Sequence, residues 1–143
     1  MASKLNLGCG KLHKKGYINC DIKEPADEVF DVTKGLPFED SSCSLIEADN
    51  LLEHIGDEFI FVMNECHRVL EHGGKLWIKV PDAERWLAGA IGDPTHKRFF
   101  CERTFNYLNR FHPTHQNYAT DLEGWTIESL ETDGKFITAT LCK

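Results

Sequence analysis

No apolar run in this 143-residue chain approaches the ~20 residues a helix needs to cross a bilayer, so no membrane-spanning segment is expected. A basic excess is missing as well. Lys and Arg number 16 against 23 Asp and Glu, a net charge of −7, and a phosphate backbone calls for the opposite sign. Nucleic acid is therefore not expected as the main partner. Cysteine is present, but never as a Cys-x-x-Cys pair. Cys9, Cys20, Cys43, Cys66, Cys101 and Cys142 are scattered, several at apolar periodic positions. That pattern predicts reduced core thiols in a cytoplasmic protein, without a disulfide framework or a zinc site. Repeats, low-complexity segments and linker-like stretches are absent, which predicts one domain over 1–143. Met1 to Lys4 leads straight into a strand pattern, so no secretory leader is expected.

What is present concentrates near the N-terminus. Lys4-Leu5-Asn6-Leu7-Gly8-Cys9-Gly10 reads as a short buried strand entering a glycine turn, and Tyr17-Ile18-Asn19-Cys20-Asp21 as a second strand ending in a carboxylate. An open α/β sheet holds an adenosine-bearing cofactor in this way, with tight backbone at the charged end and an acid on the ribose diol. Gly8 and Gly10 can take positive φ and let a ligand approach the main chain. The pattern is loose by itself, and an ordinary Gly-rich strand-to-loop turn would look the same. A nicotinamide enzyme is disfavoured. The third glycine of the dinucleotide fingerprint is missing after Lys11, and Asp21 follows Gly8 sooner than the ~20 residues that fingerprint requires.

Only 11–16 separates the two strands, whereas parallel neighbours normally need a dozen or more residues between them. The first crossover helix is therefore expected to shrink to one turn or a loop, with His13, Lys14 and Lys15 on a solvated face. A third strand is predicted over 27–31, a turn over 36–42 and a fourth strand over 44–48. Asn50 and Glu53 have capping-box spacing. Asp57 is expected to cap a helix whose Phe59, Val62, Met63, Cys66, Val69 and Leu70 form one apolar stripe, stopped by Gly73-Gly74. A fifth strand over 76–80 follows. Residues 125–132 and 135–141, joined by a two-residue Asp133-Gly134 turn, predict an antiparallel hairpin at the far edge of a mostly parallel α/β sheet.

Five motifs occur in order: Leu5-Asn6-Leu7-Gly8-Cys9-Gly10, Gly16-Tyr17-Ile18-Asn19-Cys20-Asp21, Leu36-Pro37-Phe38-Glu39-Asp40, Leu52-Glu53-His54-Ile55 and Arg68-Val69-Leu70-Glu71-His72-Gly73-Gly74. As an ordered set they resemble class I S-adenosylmethionine-dependent methyltransferases of the small type-11-like group, over about residues 4–82. The resemblance implies a Rossmann-like sheet and S-adenosylmethionine as cofactor, leaving S-adenosylhomocysteine. It implies that Gly8, Cys9 and Gly10 cradle the methionine half, with Asn6 near its ammonium. Asp21 would accept both ribose hydroxyls, Ile22 would pack on the adenine, and Asp31 with Val32 would meet the adenine amino edge. Asp49, Asn50 and Leu51 would line the cofactor from the end of the fourth strand. Asn6 stands where the family usually has Asp, Lys11 where a further Gly is common, and Ser44 where the fourth strand often begins with Asp.

Methyl transfer from a sulfonium needs orientation and, for a hydroxyl or amine acceptor, removal of a proton. His54 after the fourth strand and His96 after the fifth are the candidate bases, His54 also readable as a structural residue near the cofactor and His96 as a loop residue capping a turn. No metal site is expected: His112-x-x-His115 has ligand-like spacing, but Pro113 argues against a helix there and no third ligand is evident. Lys97 and Arg98 read as a solvated surface. Residues 83–124 concentrate aromatics, namely Trp86, Phe99, Phe100, Phe105, Tyr107, Phe111 and Tyr118. They read as a substrate lid or as an aromatic-lined acceptor pocket, with Phe105 and Leu108 on one side of a helical run. The expected reaction is methyl transfer to an O, N or C nucleophile of a small-molecule or sugar-like acceptor. The alternative is a catalytically idle cofactor-binding domain or regulatory subunit. The pocket would be open, lidded by 83–124, or completed by a homodimer or partner subunit.

Overall fold

The computed structural model describes residues 1–119 and 121–143. Its strands are β1 (Ser3–Leu7), β2 (Ile18–Asp21), β3 (Glu28–Val29), β4 (Cys43–Asp49), β5 (Leu70–Pro81), β6 (Thr126–Thr132) and β7 (Phe136–Cys142). The helices are α1 (Phe59–Val69), α2 (Leu87–Ile91) and α3 (Pro113–Tyr118), with 3₁₀ turns at Val32–Lys34, Leu52–His54 and Glu102–Asn106. All seven strands form one sheet in the order β3-β2-β1-β4-β5-β7-β6. β1 to β5 run parallel, and β7 is antiparallel to both β5 and β6. The chain reverses its direction of sheet growth between β1 and β4, the place where open α/β sheets bind ligands beyond their strand ends.

Register explains the layers. Leu5, Ile46, Leu76 and Leu141 pair in one row across β1, β4, β5 and β7, and Leu7, Ala48, Ile78 and Ala139 in another. These side chains are buried and share one cluster with Phe59, Val62, Met63, Cys66 and Val69 of α1. The row between them is polar: Asn19, Asn6, Glu47, Trp77 and Thr140. Side chains alternate faces along a strand, so this row points away from α1. There the 11–16 segment runs as a loop, as its length requires. It is not a solvated face throughout. Lys14 pairs with Glu47, the Tyr17 hydroxyl donates to the same carboxylate, and a His13 ring nitrogen meets the Pro25 carbonyl.

Several local expectations are corrected. α1 begins after Glu58, whose side chain makes no cap bond, and Asp57 is no cap. Asn50 and Glu53 form no capping box, because Leu51 precedes the turn and Asn50 sits at φ 52°. Gly73 does have φ 80°, but it lies inside β5 rather than at a helix end. The helix stops at Val69 because Leu70 is drawn into the sheet against Cys43, with a register shift before Lys75. The hairpin loop takes in Lys135 as well as Asp133 and Gly134, since the Asp133 carboxylate accepts from the N–H groups of Lys135 and Phe136. Pro113 opens α3 at its first turn instead of forbidding it. Phe105 and Leu108 are both buried, on a 3₁₀ turn and the loop after it.

Candidate active site

A cleft of about 320 Å³ opens beyond the ends of β1, β2 and β4. Gly8, Asp21, Ile22, Asp31, Val32, Leu51 and His54 line it, together with Thr33, Ile55, Glu58 and Lys97. Gly8 (φ 65°) and Gly10 (φ 50°) carry the chain through left-handed backbone. A Cβ on Gly8 would stand 3.0 Å from Leu51 Cδ1, so glycine lets the two strand ends close. The loop is tied to β2: the Cys9 N–H donates to the Cys20 carbonyl at 2.9 Å and the Gly10 N–H to Asp21 Oδ2 at 2.8 Å. Asp21 Oδ1 accepts from the Lys23 N–H at 3.2 Å. A carboxylate has about four acceptor positions, so two backbone donors leave capacity for a diol.

The remaining walls suit an adenosine. Ile22, 59% exposed, presents an apolar surface beside Asp21. The Asp31 carboxyl is held below its ordinary range by the Thr33 hydroxyl and then by the Thr33 N–H, both donating to Oδ1. It is therefore an acceptor at neutral pH, matched to an exocyclic amine. This donor set fits S-adenosylmethionine at its adenosine end.

Other sequence candidates lie behind these walls. Asn6 is 3% exposed, and its amide donates to the Leu12 carbonyl and Asn19 Oδ1, knitting the 11–16 loop to the sheet. Cys9 is buried, and that burial, then the nearby Asp21, pushes its thiol pKa up. Asp49 accepts from the Asn50 amide, while the Asn50 N–H donates to the Lys79 carbonyl and turns the chain so that Leu51 meets Gly8. Asn6, Cys9, Gly10, Asp49 and Asn50 thus support the cleft from outside its lining.

His54 and His96 come together, with ring centroids 4.9 Å apart and planes at 73°. His54 lines the cleft, and its Nδ1 meets Thr95 Oγ1 at 3.1 Å and the Thr95 carbonyl at 3.3 Å. His96 Nδ1 lies 2.7 Å from the Ala90 carbonyl. Sequence reasoning missed their neighbour Glu53, although it stands in the Leu52-Glu53-His54-Ile55 motif. Its side chain is buried, Oε2 has no hydrogen-bond partner, and burial pushes its carboxyl up to about 7. The Glu53 carbonyl accepts from the N–H groups of Lys97 and Arg98, which holds segment 95–98 beside the 3₁₀ turn.

A second cavity of about 640 Å³ is lined by Phe59, Phe99, Tyr107, Leu108 and Tyr118, with Arg98 and Arg103. Arg98 is not a solvated charge: Nη2 donates to the Gly56 carbonyl and the guanidinium lies 4.4 Å from the centre of the Phe59 ring. Gly56, Glu58 and Lys97 border the cleft, and their neighbours Asp57, Phe59, Arg98 and Phe99 border the second cavity, so the same two segments wall both. His112 caps α3 by accepting from the Thr114 N–H, and His115 meets the Tyr107 carbonyl.

Residues 5–78 match the model of the type-11 methyltransferase domain family. No curated protein matches the sequence. Among solved structures, an S-adenosylmethionine-dependent methyltransferase from Archaeoglobus fulgidus superposes with TM-score 0.69 at 16% identity, over 99% of this chain and 86% of that one. The Burkholderia thailandensis 1,6-didemethyltoxoflavin N1-methyltransferase, holding its acceptor and S-adenosylhomocysteine, gives 0.67 at 14% identity, over 99% and 71%. A Haloferax volcanii complex of the Trm112 methyltransferase activator with a chain described as a methyltransferase gives 0.67 at 12% identity, over 99% and 82%. No helix among the described residues is long and apolar enough to cross a membrane. With the family model spanning more than half its length, the chain belongs to the methyltransferase domain family and is an S-adenosylmethionine-dependent methyltransferase.

Proposed function

We propose that this methyltransferase acts on an O, N or C nucleophile of a small-molecule or sugar-like acceptor, which enters along the aromatic cavity and reaches the cleft beside His54. The observation that carries this reading is the wall shared by the two cavities, with His54 and His96 paired near it. When bound, the cofactor supplies an activated methyl group on a sulfonium, so the chain's task is placement. Asp21 accepts from the ribose diol, Asp31 from the adenine amine, and Ile22 and Leu51 pack on the flat faces. Gly8 leaves room for the methionine half. His54 and His96 receive the acceptor's proton, directly or through water. Residues 83–124 supply the acceptor wall, and 1–82 hold the cofactor. A second copy or a partner subunit completes the aromatic cavity.

Calorimetry with S-adenosylmethionine, S-adenosylhomocysteine and NAD tests the cofactor half. The two sulfur compounds should bind and NAD should not, and Asp21→Ala should weaken S-adenosylhomocysteine at least tenfold, the scale of one charge-assisted hydrogen bond. Unchanged affinity in Asp21→Ala would remove the ribose assignment. On an acceptor found by screening, full turnover by His96→Ala would remove His96 as a base.

A further inference from the structure

We propose that Glu53, His54 and His96 form a binding site for a divalent transition-metal ion at the acceptor end of the cleft, where the ion holds and acidifies a hydroxyl of the acceptor. What the ion does rests on the methyl-transfer reading; that it binds does not.

Proximity comes first. One ligand atom from each of the three residues lies within 4.8 Å of the other two. Ligands bound at 2.0–2.2 Å around a shared ion stand about 3–4 Å apart, so closure asks for a side-chain shift of about 1 Å. Orphaned capacity comes second. Glu53 is 2% exposed, and its Oε2 has no donor. A buried acceptor without a partner is costly, and a cation supplies one.

The imidazoles are already turned for the task. A carbonyl oxygen only accepts, so the contact between His96 Nδ1 and the Ala90 carbonyl places the proton on Nδ1 and leaves the Nε2 lone pair free. His54 repeats the arrangement. Its Nδ1 faces the Thr95 carbonyl and the Thr95 hydroxyl, and that hydroxyl donates to Asp93 Oδ1. Metal-binding histidines are usually held this way, the second ring N–H given to a backbone carbonyl or a carboxylate-linked group. In this tautomer His96 Nε2 meets Asp93 Oδ2 at 3.6 Å, acceptor against acceptor. A cation on Nε2 removes the conflict.

Two imidazoles and a carboxylate with open positions suit Mn²⁺, Fe²⁺, Co²⁺ or Zn²⁺ better than the all-oxygen cations. His54 also lines the cleft, so an ion held there would border the space the cofactor fills. A hydroxyl coordinated there loses its proton to solvent. Its oxygen lone pair forms the O–CH₃ bond while the C–S pair returns to sulfur. The sulfonium and alcohol become a thioether, a methyl ether and a proton. The acceptor class that uses the ion is thereby an alcohol or phenol; without the ion the same two histidines remain the groups that take the acceptor's proton.

The test is a Co²⁺ titration of the metal-stripped full chain, read by visible absorption and calorimetry, with S-adenosylhomocysteine affinity measured in parallel. One equivalent should bind with the spectrum of nitrogen and oxygen ligands and without an intense thiolate band. Glu53→Gln, an isosteric change, and His96→Gln should each weaken Co²⁺ at least tenfold and leave S-adenosylhomocysteine affinity unchanged, which also shows that the variants are folded. Absent binding by the unsubstituted protein, binding with thiolate bands, or binding unaffected in both variants overturns the metal site. Loss of S-adenosylhomocysteine binding by the unsubstituted protein, with Co²⁺ still bound, overturns the methyl-transfer reading instead.

Discussion

Gly8 and Glu53 show two kinds of single-residue constraint. At Gly8 the constraint is backbone: φ is 65°, and the space a side chain would fill belongs to Leu51. Gly8→Ala should cost about 1–2 kcal/mol from the left-handed conformation alone, and more than tenfold in S-adenosylhomocysteine affinity as Leu51 is pushed into the cleft. Calorimetry and urea unfolding of the variant measure both. At Glu53 the constraint is charge. Its pKa rises from 4.5 to about 7 on folding, so the folded state keeps a proton the unfolded chain releases. Stability of the metal-free protein should therefore fall as pH rises from about 4.5 to about 7, by roughly 3 kcal/mol, and level off above that. Glu53→Gln should remove that slope in urea titrations at pH 5 and pH 8; an unchanged slope would reject the assignment. Asp21 stood out in the sequence as the carboxylate that ends the strand after a glycine turn, and Ile22 was singled out by the family resemblance. Glu53 was not, because its burial comes from segment 95–98, which no local pattern brings to residue 53.

Among the elements, α1 was legible in its stripe and illegible at both ends. Five stripe residues, Phe59, Val62, Met63, Cys66 and Val69, are buried as their spacing requires. Its start lacks the Asp57 cap, and its stop is set by Leu70 joining Cys43 in the sheet. Pairing across more than twenty-five residues leaves no mark in a local window. Asp82, just past β5, binds that strand's end to β6. Its carboxylate, wholly buried, accepts from the Arg85 guanidinium, the Thr132 hydroxyl and the N–H groups of Glu84 and Arg85. Burial alone would raise its pKa, but these donors outweigh burial and hold it below the ordinary range. The stability it contributes is present above its ordinary pKa and is lost as pH falls through the depressed value. Asp82→Ala should destabilise by about 2–4 kcal/mol at pH 7 and by progressively less as pH falls below the ordinary carboxylate range, which chemical denaturation over an acid pH series reads directly.

At the scale of the whole molecule the layers are unequal. One face of the sheet carries α1 and the apolar rows, and the other carries a polar row crossed by the 11–16 loop. The cleft is assembled from five separate stretches of chain, so a ligand that fills it should stabilise the fold as a unit. S-adenosylhomocysteine at a hundredfold its dissociation constant should add about 2.7 kcal/mol and raise the melting temperature by roughly 9 °C, with no shift from NAD. A ligand-independent melting temperature would contradict a cleft formed only in the folded state.

The mostly parallel sheet with its antiparallel terminal strands and the missing crossover helix follow from the sequence alone, because they depend on residue type and on short spacings that the backbone converts directly into place. The pairing of His54 with His96, the orphaned Glu53 carboxylate and the wall shared by the two cavities were decided only in the tertiary structure. Each depends on the 83–124 segment folding back beside the end of β4, and that return is specified by burial of Phe100, Phe105, Leu108 and Trp125 in the common core rather than by any motif near the site.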